Sequence, residues 1–176
     1  MTNIMIFKSK ANDYKYKLYW YLIINIYNNV MNRLFLITFI FFTQLSLYSE
    51  NYVVKMLNQG STGIMVFEPA VLEINVGDTV TFEATDAAHN SASIPGMLPN
   101  GASEWFGELS RDITVSFDVP GVYGYQCTPH SMMAMVGVIK VGGDSSNIDS
   151  VKAVANSYKT TFVMNQTRLD EYLSKI

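Results

Sequence analysis

The chain has 176 residues, 49% of them hydrophobic and 15% charged, so it can bury a core and is not a disordered chain. With two histidines and one cysteine it cannot contain an internal disulfide, a CxxC redox pair, a cysteine-rich zinc module or a four-thiolate iron–sulfur cluster. Residues 1–49 hold five of the 12 basic side chains and one of the 15 acids, which leaves an acidic body unsuited to nucleic acid or anionic lipid.

The N-terminal region has the features of an export signal. Residues 31–49 begin with Arg33, continue as the uncharged apolar run Leu34–Phe42, and end at the small residue Ser49. The apolar run is short for a membrane span. We therefore predict a signal peptide at 31–49 that is cleaved after its last residue, with an uncleaved membrane anchor as the alternative. Residues 1–30 are interpreted as a mis-annotated N-terminal extension, with translation starting at the methionine that follows them.

The body consists of short runs with period-two alternation, separated by Gly, Pro, Asn and Asp. The predicted strands are Tyr52–Leu57, Gly63–Phe67, Ala70–Val76, Thr79–Ala84, Asp112–Val119, Val122–Gln126 and Val136–Val141. Residues 86–107 are rich in Ala, Ser, Pro, Gly and Asn and are predicted to form a long loop. Seven or so short strands without an intervening helical period predict an all-β sandwich over residues 50–142.

The C-terminal residues 143–176 have a different pattern, which predicts helices at Asn147–Ser157 and Asn165–Ile176. In the second helix, Asn165 is the expected N-cap. One apolar stripe is expected at i, i+3, i+4 and i+7. Its members are Leu169, Tyr172, Leu173 and Ile176. We expect both helices to pack on the sandwich and to take no part in the chemistry.

One loop between two predicted strands contains three potential metal ligands. Residues 122–141 read VYGYQCTPHSMMAMVGVIKV, so Cys127, His130 and Met135 share a nine-residue segment. His89 lies 38 residues before the cysteine, just after a predicted strand. Two imidazoles, a thiolate and a thioether form the donor set of a blue-copper electron-transfer site, in which a long axial methionine completes a trigonal His₂Cys group. The pattern therefore predicts one copper ion, cycling between Cu(I) and Cu(II).

Other functions make weaker use of the same residues. A cysteine hydrolase would need an oxyanion loop, and a Cys and His three residues apart on one loop suit a shared metal better than proton transfer. A copper carrier or storage protein usually offers open Met- and His-rich sites that prefer Cu(I), so it remains the main alternative. A structural sandwich would have no use for the ligand set. We predict an electron-transfer protein and not an enzyme.

The quoted motifs resemble the pseudoazurin family of cupredoxins. The matching stretches, in order, are MLNQG (56–60), MVFEPAVLEINVGDTVTF (65–82), AHN (88–90), GMLPNGA (96–102) and PGVYGYQCTPHSMMAMVGVIKVG (120–142). The resemblance implies a Greek-key cupredoxin β-sandwich of about seven to eight strands with two C-terminal α-helices packed on it. It implies copper bound by His89, Cys127, His130 and Met135. It also implies a periplasmic shuttle that feeds electrons to a reductase such as copper nitrite reductase. We expect the protein to be a monomer.

The resemblance also implies supporting roles around the metal. Asn90 is expected to tie the His89 loop to the Cys127 loop through hydrogen bonds, with help from Thr128. A backbone N–H near Pro129 is expected to donate to the thiolate, because proline itself has no N–H. Met65 matches a family position close to the second histidine, where it either packs in the core or tunes the metal.

The sequence departs from the family in its surface charge. Pseudoazurins surround the exposed ligand with lysines that steer docking to acidic partners, whereas Gln59, Ala87 and Gln126 stand where we would expect basic residues. We expect an apolar, Met-rich patch around His130 instead, which would dock an electron donor and a terminal reductase. The residues assigned to it are Met97, Leu98, Pro129, Met132, Met133 and Ala134.

Overall fold

The computed structural model describes residues 17, 19–35 and 49–176. Residues 19–35 are helical (α1), and residues 49–176 form a separate compact unit. Most of the predicted signal peptide at 31–49, and much of the extension at 1–30, lie outside the described residues. In the part of the chain that the structure describes, no helix combines the length and the apolar character needed to cross a membrane.

Two four-stranded sheets form the body of the unit. The strands are β1 (Asn51–Gly60), β2 (Gly63–Glu68), β3 (Val71–Ile74), β4 (Thr79–Glu83), β5 (Ala92–Ser93), β6 (Ile113–Ser116), β7 (Gly121–Gln126) and β8 (Val136–Val141). The first sheet has the order β2-β1-β4-β6 and the second β3-β8-β7-β5. The β1–β4 and β3–β8 pairs are parallel, and the other pairs are antiparallel.

Alternating side chains of both sheets fill the space between them. In β4, Val80 and Phe82 are fully buried while Thr79 and Thr81, which alternate with them, are half-buried, as the period-two pattern predicts. Rings from the two sheets meet at the centre of the core: Tyr125 lies edge-on to both Phe67, at 4.8 Å, and Phe82, at 5.0 Å between ring centroids. This aromatic cluster lies in the same core as Cys127 and thus gives the end of β7 a rigid support.

The second sheet is buried on both faces, which explains why β8 is almost entirely apolar. Ile139 and Val141 face the first sheet, and Val136 and Val138 face the C-terminal helices. Those helices are α2 (Ile148–Tyr158) and α3 (Arg168–Leu173).

The stripe predicted for the last helix is confirmed. Three of its members are buried and the fourth packs against the same cluster, which also contains the outward-facing residues of the second sheet. These are Leu169, Tyr172, Leu173 and Ile176.

Two details of the sequence analysis are wrong. The stretch predicted as a long loop contains β5, which pairs antiparallel with β7 through Ala92 and Ser93. Two residues are too few to show a period in sequence. The last helix begins at Arg168, and Asn165, the expected N-cap, instead has a left-handed backbone (φ 52°) three residues before the helix.

Candidate metal centre

One end of the sandwich brings together the two loops that contain the predicted ligands. Cys127 directly follows β7 and Met135 directly precedes β8, and the Cys127 N–H donates to the Met135 carbonyl at 2.9 Å. His130 lies in the tight loop between them, just before a 3₁₀ turn at Ser131–Met133. His89 arrives from the other side, in the loop after β4. Paired strands thus fix three residues of one loop, and the opposite sheet supplies the fourth.

The donor atoms of His89, Cys127 and His130 converge. The two Nδ1 atoms lie 3.0 Å apart, and the Cys127 Sγ lies 3.6 Å from the first and 3.5 Å from the second. Among the described residues, this is the one cluster of three or more His, Cys, Asp or Glu side chains close enough to share a metal ion. Two imidazole nitrogens and a sulfur in a compact triangle fit a soft or borderline cation such as copper.

Burial of the cluster is graded. His89, Cys127 and Met135 are 0% exposed, whereas His130 is half-buried and its neighbour Pro129 is exposed. The fully buried residues keep water from the sulfur donors, and the partly exposed imidazole forms the edge of the site that faces solvent. His130 is therefore the member of the cluster that lies nearest to solvent.

The tautomer of His89 is set by Asn58, which lies on β1. Its Nε2 lies 3.1 Å from the Asn58 Oδ1, and an amide oxygen can only accept a hydrogen bond, so Nε2 carries the hydrogen and Nδ1 keeps a free lone pair. The Asn58 N–H in turn donates to the Asp86 carboxylate at 2.7 Å. A histidine held this way points its free nitrogen at the cluster, as metal-binding histidines commonly do.

The electrostatics favour a cation in the cluster. Burial lowers the pKa of His89, and the neighbouring His130 lowers it further while Asp86 opposes them, so the imidazole is neutral and able to act as a ligand. Burial raises the pKa of the Cys127 thiol, although the backbone N–H groups of Asn90 and His130 act in the opposite direction. The second of these N–H groups directly follows Pro129. A thiolate at this buried position needs a positive partner, and a bound metal ion supplies one.

Asn90 links the two loops. Its Oδ1 accepts from the Thr128 N–H at 2.9 Å and from the Thr128 hydroxyl at 3.1 Å, and its Nδ2 donates to the Gly107 carbonyl at 3.0 Å. The side chain is only 2% exposed, so these bonds do not compete with solvent. The residue after His89 is thereby fixed to the residue after Cys127.

The Met-rich patch is smaller than the sequence suggests. Met97 and Ala134 are 0% exposed and pack with the outer face of the second sheet, and Leu98 packs against the core between the sheets. The loop that contains Met97 and Leu98 runs away from the site, because Pro99 lies against Gly121 at the opposite end of β7 from Cys127. The assignment of Met97, Leu98 and Ala134 to the exposed patch is wrong. Pro129 and Met132 are exposed, and Met133 is half-buried.

Met65 is half-buried and packs against the core cluster that contains Cys127 and Met135. Its backbone is left-handed, with φ 48°. Asn58 and Arg168 were not predicted from the sequence to contact the ligand loops or the ligands. Asn58 ends the strongly patterned part of β1, where an exposed asparagine is indistinguishable from a turn residue. Arg168 was given no role from the sequence, yet its side chain is only 7% exposed.

Comparison with known proteins agrees with this geometry. A family model described as copper binding proteins of the plastocyanin/azurin family matches residues 54–142. The pseudoazurin of Methylorubrum extorquens is 39% identical over 76% of this chain and 87% of its own, and that of Paracoccus pantotrophus is 35% identical over 73% and 86%.

Solved structures give the same result. The crystal structure of pseudoazurin from Methylobacterium extorquens has a TM-score of 0.65 at 38% identity, over 71% of this chain and 98% of that one. The native pseudoazurin of Hyphomicrobium denitrificans has a TM-score of 0.64 at 32% identity, over 72% and 98%.

Proposed function

The chain belongs to the plastocyanin/azurin family of copper-binding proteins, with pseudoazurins among its relatives, and from that premise we propose that it is an exported single-electron carrier. Its cofactor is one copper ion. The proposed ligands are His89, Cys127, His130 and Met135. The observation that supports the proposal best is the triangle of two Nδ1 atoms and one Sγ, all within 4.8 Å of one another, at the end of a rigid sandwich.

Bound copper supplies the one-electron Cu(II)/Cu(I) couple, and the protein's residues set its surroundings. His89 and Cys127 are fixed by Asn58, Asn90 and the β7–β8 pair, so the donor atoms keep their positions when the charge of the site changes. A donor set between the geometries preferred by the two oxidation states then needs little rearrangement, which favours fast transfer.

The closed site favours electron transfer over copper delivery as the function. Three of the four proposed ligands are fully buried, so a metal ion could leave only if the ligand loop opened. A copper-delivery protein needs an accessible site that releases its metal. Repeated chemical reduction and re-oxidation, followed by gel filtration and copper analysis, separates the two functions. Retention of one copper per chain supports the carrier, and loss of the metal on reduction would support storage or delivery.

Electron transfer is proposed to occur through the partly exposed edge of His130. Two exposed apolar side chains lie at the adjoining turn: Met132 is 55% exposed and Val163 is 65% exposed. The Val163 N–H donates to the Met132 carbonyl at 2.8 Å, which holds the two residues together. Met164 next to Val163 is 37% exposed. A small apolar surface of this kind suits brief encounters with redox partners, namely an electron donor and a terminal reductase such as a copper nitrite reductase.

Docking is proposed to be apolar and weakly steered. No lysine or arginine occurs in the loops 58–63, 86–90 or 126–135, and the body as a whole is acidic. In stopped-flow experiments, the rate of electron transfer to the native partner is therefore expected to fall little, or to rise, as the salt concentration increases. A steep fall with salt against an acidic reductase would contradict this mode of docking.

Export to the periplasm, with cleavage after Ser49, is part of the proposal. It is supported by the three-part pattern of residues 31–49 and by the compact unit that begins at residue 49. Cell fractionation and N-terminal sequencing test it. A periplasmic protein that starts at Glu50 is the expected result, and a full-length membrane-fraction protein would refute it.

A further inference from the structure

The segment after α2 binds the backbone of the ligand loop at three successive residues. The Val163 N–H donates to the Met132 carbonyl at 2.8 Å, the Asn165 Nδ2 to the Met133 carbonyl at 3.3 Å, and Arg168 Nη1 to the Ala134 carbonyl at 3.0 Å. These carbonyls lie between His130 and Met135. The C-terminal segment therefore closes over the part of the loop that joins two proposed ligands.

Arg168 is the centre of this arrangement. Besides the Ala134 carbonyl, its guanidinium donates to the carbonyls of Met65 at 2.9 Å and Ile64 at 3.3 Å. It thus links α3, the start of β2 and the last residue before Met135. The guanidinium is a rigid, planar fork of donors, which suits it to hold several carbonyls at once.

Two of the residues it holds have unfavourable backbone conformations. Met65 and Ala134 are not glycines, yet they have φ 48° and 55°, in the left-handed region. Such conformations cost energy and persist where neighbouring structure enforces them. One nitrogen of Arg168, Nη1, donates to the carbonyls of both. The arginine thereby stabilises the conformation that directs Met135 back toward Cys127.

Arg168 also places an unbalanced charge beside the site. Its side chain is 7% exposed, and within residues 49–176 its guanidinium donates to carbonyl groups and forms no ion pair with a carboxylate. Buried charges are usually paired with an opposite charge. Because the oxidised centre has one more positive charge than the reduced centre, a nearby buried cation disfavours oxidation.

We propose that Arg168 is a positioning residue for the metal centre, which braces the Met135 end of the ligand loop and raises the reduction potential through its buried positive charge. This rests on the proposed copper function and gives the C-terminal segment a role in the chemistry, contrary to the expectation that it only packs. As a general scale, two unit charges about 10 Å apart at an effective dielectric constant of about 20 change a one-electron equilibrium about tenfold, and a tenfold change is about 59 mV.

The test compares three variants of the purified copper-loaded protein by redox titration at low and high salt. Arg168→Gln removes the charge but keeps a donor, Arg168→Lys keeps the charge but loses the fork, and Lys152→Gln removes an exposed charge from α2 as a control. We expect Arg168→Gln to lower the potential by the amount above at both salt concentrations. The reduction potential of Arg168→Lys should stay close to that of the unchanged protein. The potential of the Lys152→Gln control should change little at low salt and not at all at high salt.

Urea unfolding of the copper-free proteins separates the structural effect of Arg168 on the ligand loop from the effect of its charge on the reduction potential. Both Arg168 variants are expected to unfold at lower urea than the unchanged protein, because each leaves carbonyls of Met65 or Ala134 without a partner. An unchanged potential in Arg168→Gln, or an equal fall in both Arg168 variants, would overturn the charge effect. If Arg168→Gln does not fold, a fall of the same size in the reduction potential of Arg168→Lys would overturn the charge effect, because that variant keeps the positive charge. Failure of the unchanged protein to show intense visible absorption with copper would instead refute the proposed function.

Discussion

The hydrogen bonds of Asn90 make a quantitative prediction for Asn90→Ala. The substitution removes three bonds and leaves the buried Gly107 carbonyl and the Thr128 N–H without partners, whereas the half-exposed Thr128 hydroxyl can turn to water. Two lost bonds to buried groups correspond to about 2 to 4 kcal/mol of unfolding free energy. Urea denaturation of the copper-free protein measures this directly, without the stabilisation that a bound metal adds.

A suitable control lies in the next loop, after β5. Asn100 is exposed, so Asn100→Ala is expected to change the unfolding free energy by less than about 0.5 kcal/mol. In the copper-loaded protein, Asn90→Ala should also release copper faster to a chelator, because the His89 and Cys127 loops are no longer joined. If Asn90→Ala were as stable as the control and retained copper as long as the unchanged protein, the bonds would not have the role described.

Three further predictions concern the proposed ligand Met135, the C-terminal helices and stability at alkaline pH. Met135→Leu should keep the intense visible absorption but shift the reduction potential, whereas Met56→Leu, at another fully buried methionine of the same core, should change neither. Equal behaviour of the two variants would contradict the proposal that Met135 is a ligand. Leu169→Ala should lower the unfolding free energy by about 2 to 5 kcal/mol, and an unchanged value would mean that α3 is not packed as described. Burial raises the pKa of Tyr123 to about 12, so the native state keeps a proton that the unfolded state loses above pH 10. Stability of the copper-free protein should therefore fall between pH 10 and 12, less steeply in Tyr123→Phe, and equal slopes would contradict this.

Much of the fold follows from local sequence patterns. The alternation in β4 and the continuous apolar run of β8 predict which faces are buried, because strand periodicity is set by the backbone alone. The triangle formed by His89, Cys127 and His130 was also predictable, since the residue types are rare in this chain and two of them share a loop. β5 was not predictable, because its two residues form a strand only where β7 is available to pair with them.

The contacts made by single side chains over long sequence distances could not be predicted from the chain. Arg168 bonds to carbonyls 103 and 104 residues earlier, and nothing in its neighbourhood distinguishes it from a solvent-exposed arginine. The burial of Met97 depends on how its loop packs on the outer face of the second sheet. The sequence shows that methionines are frequent near the site, but their exposure depends on the tertiary structure.

The most direct test of the account is the optical spectrum of the purified protein from Glu50 onward, titrated with Cu(II), reduced with dithionite and re-oxidised in air. The account predicts intense visible absorption from thiolate-to-copper charge transfer that saturates at one copper per chain, bleaches on reduction and returns in full. Weak absorption typical of ordinary Cu(II) complexes would mean that Cys127 does not bind copper, and would contradict the electron-carrier function.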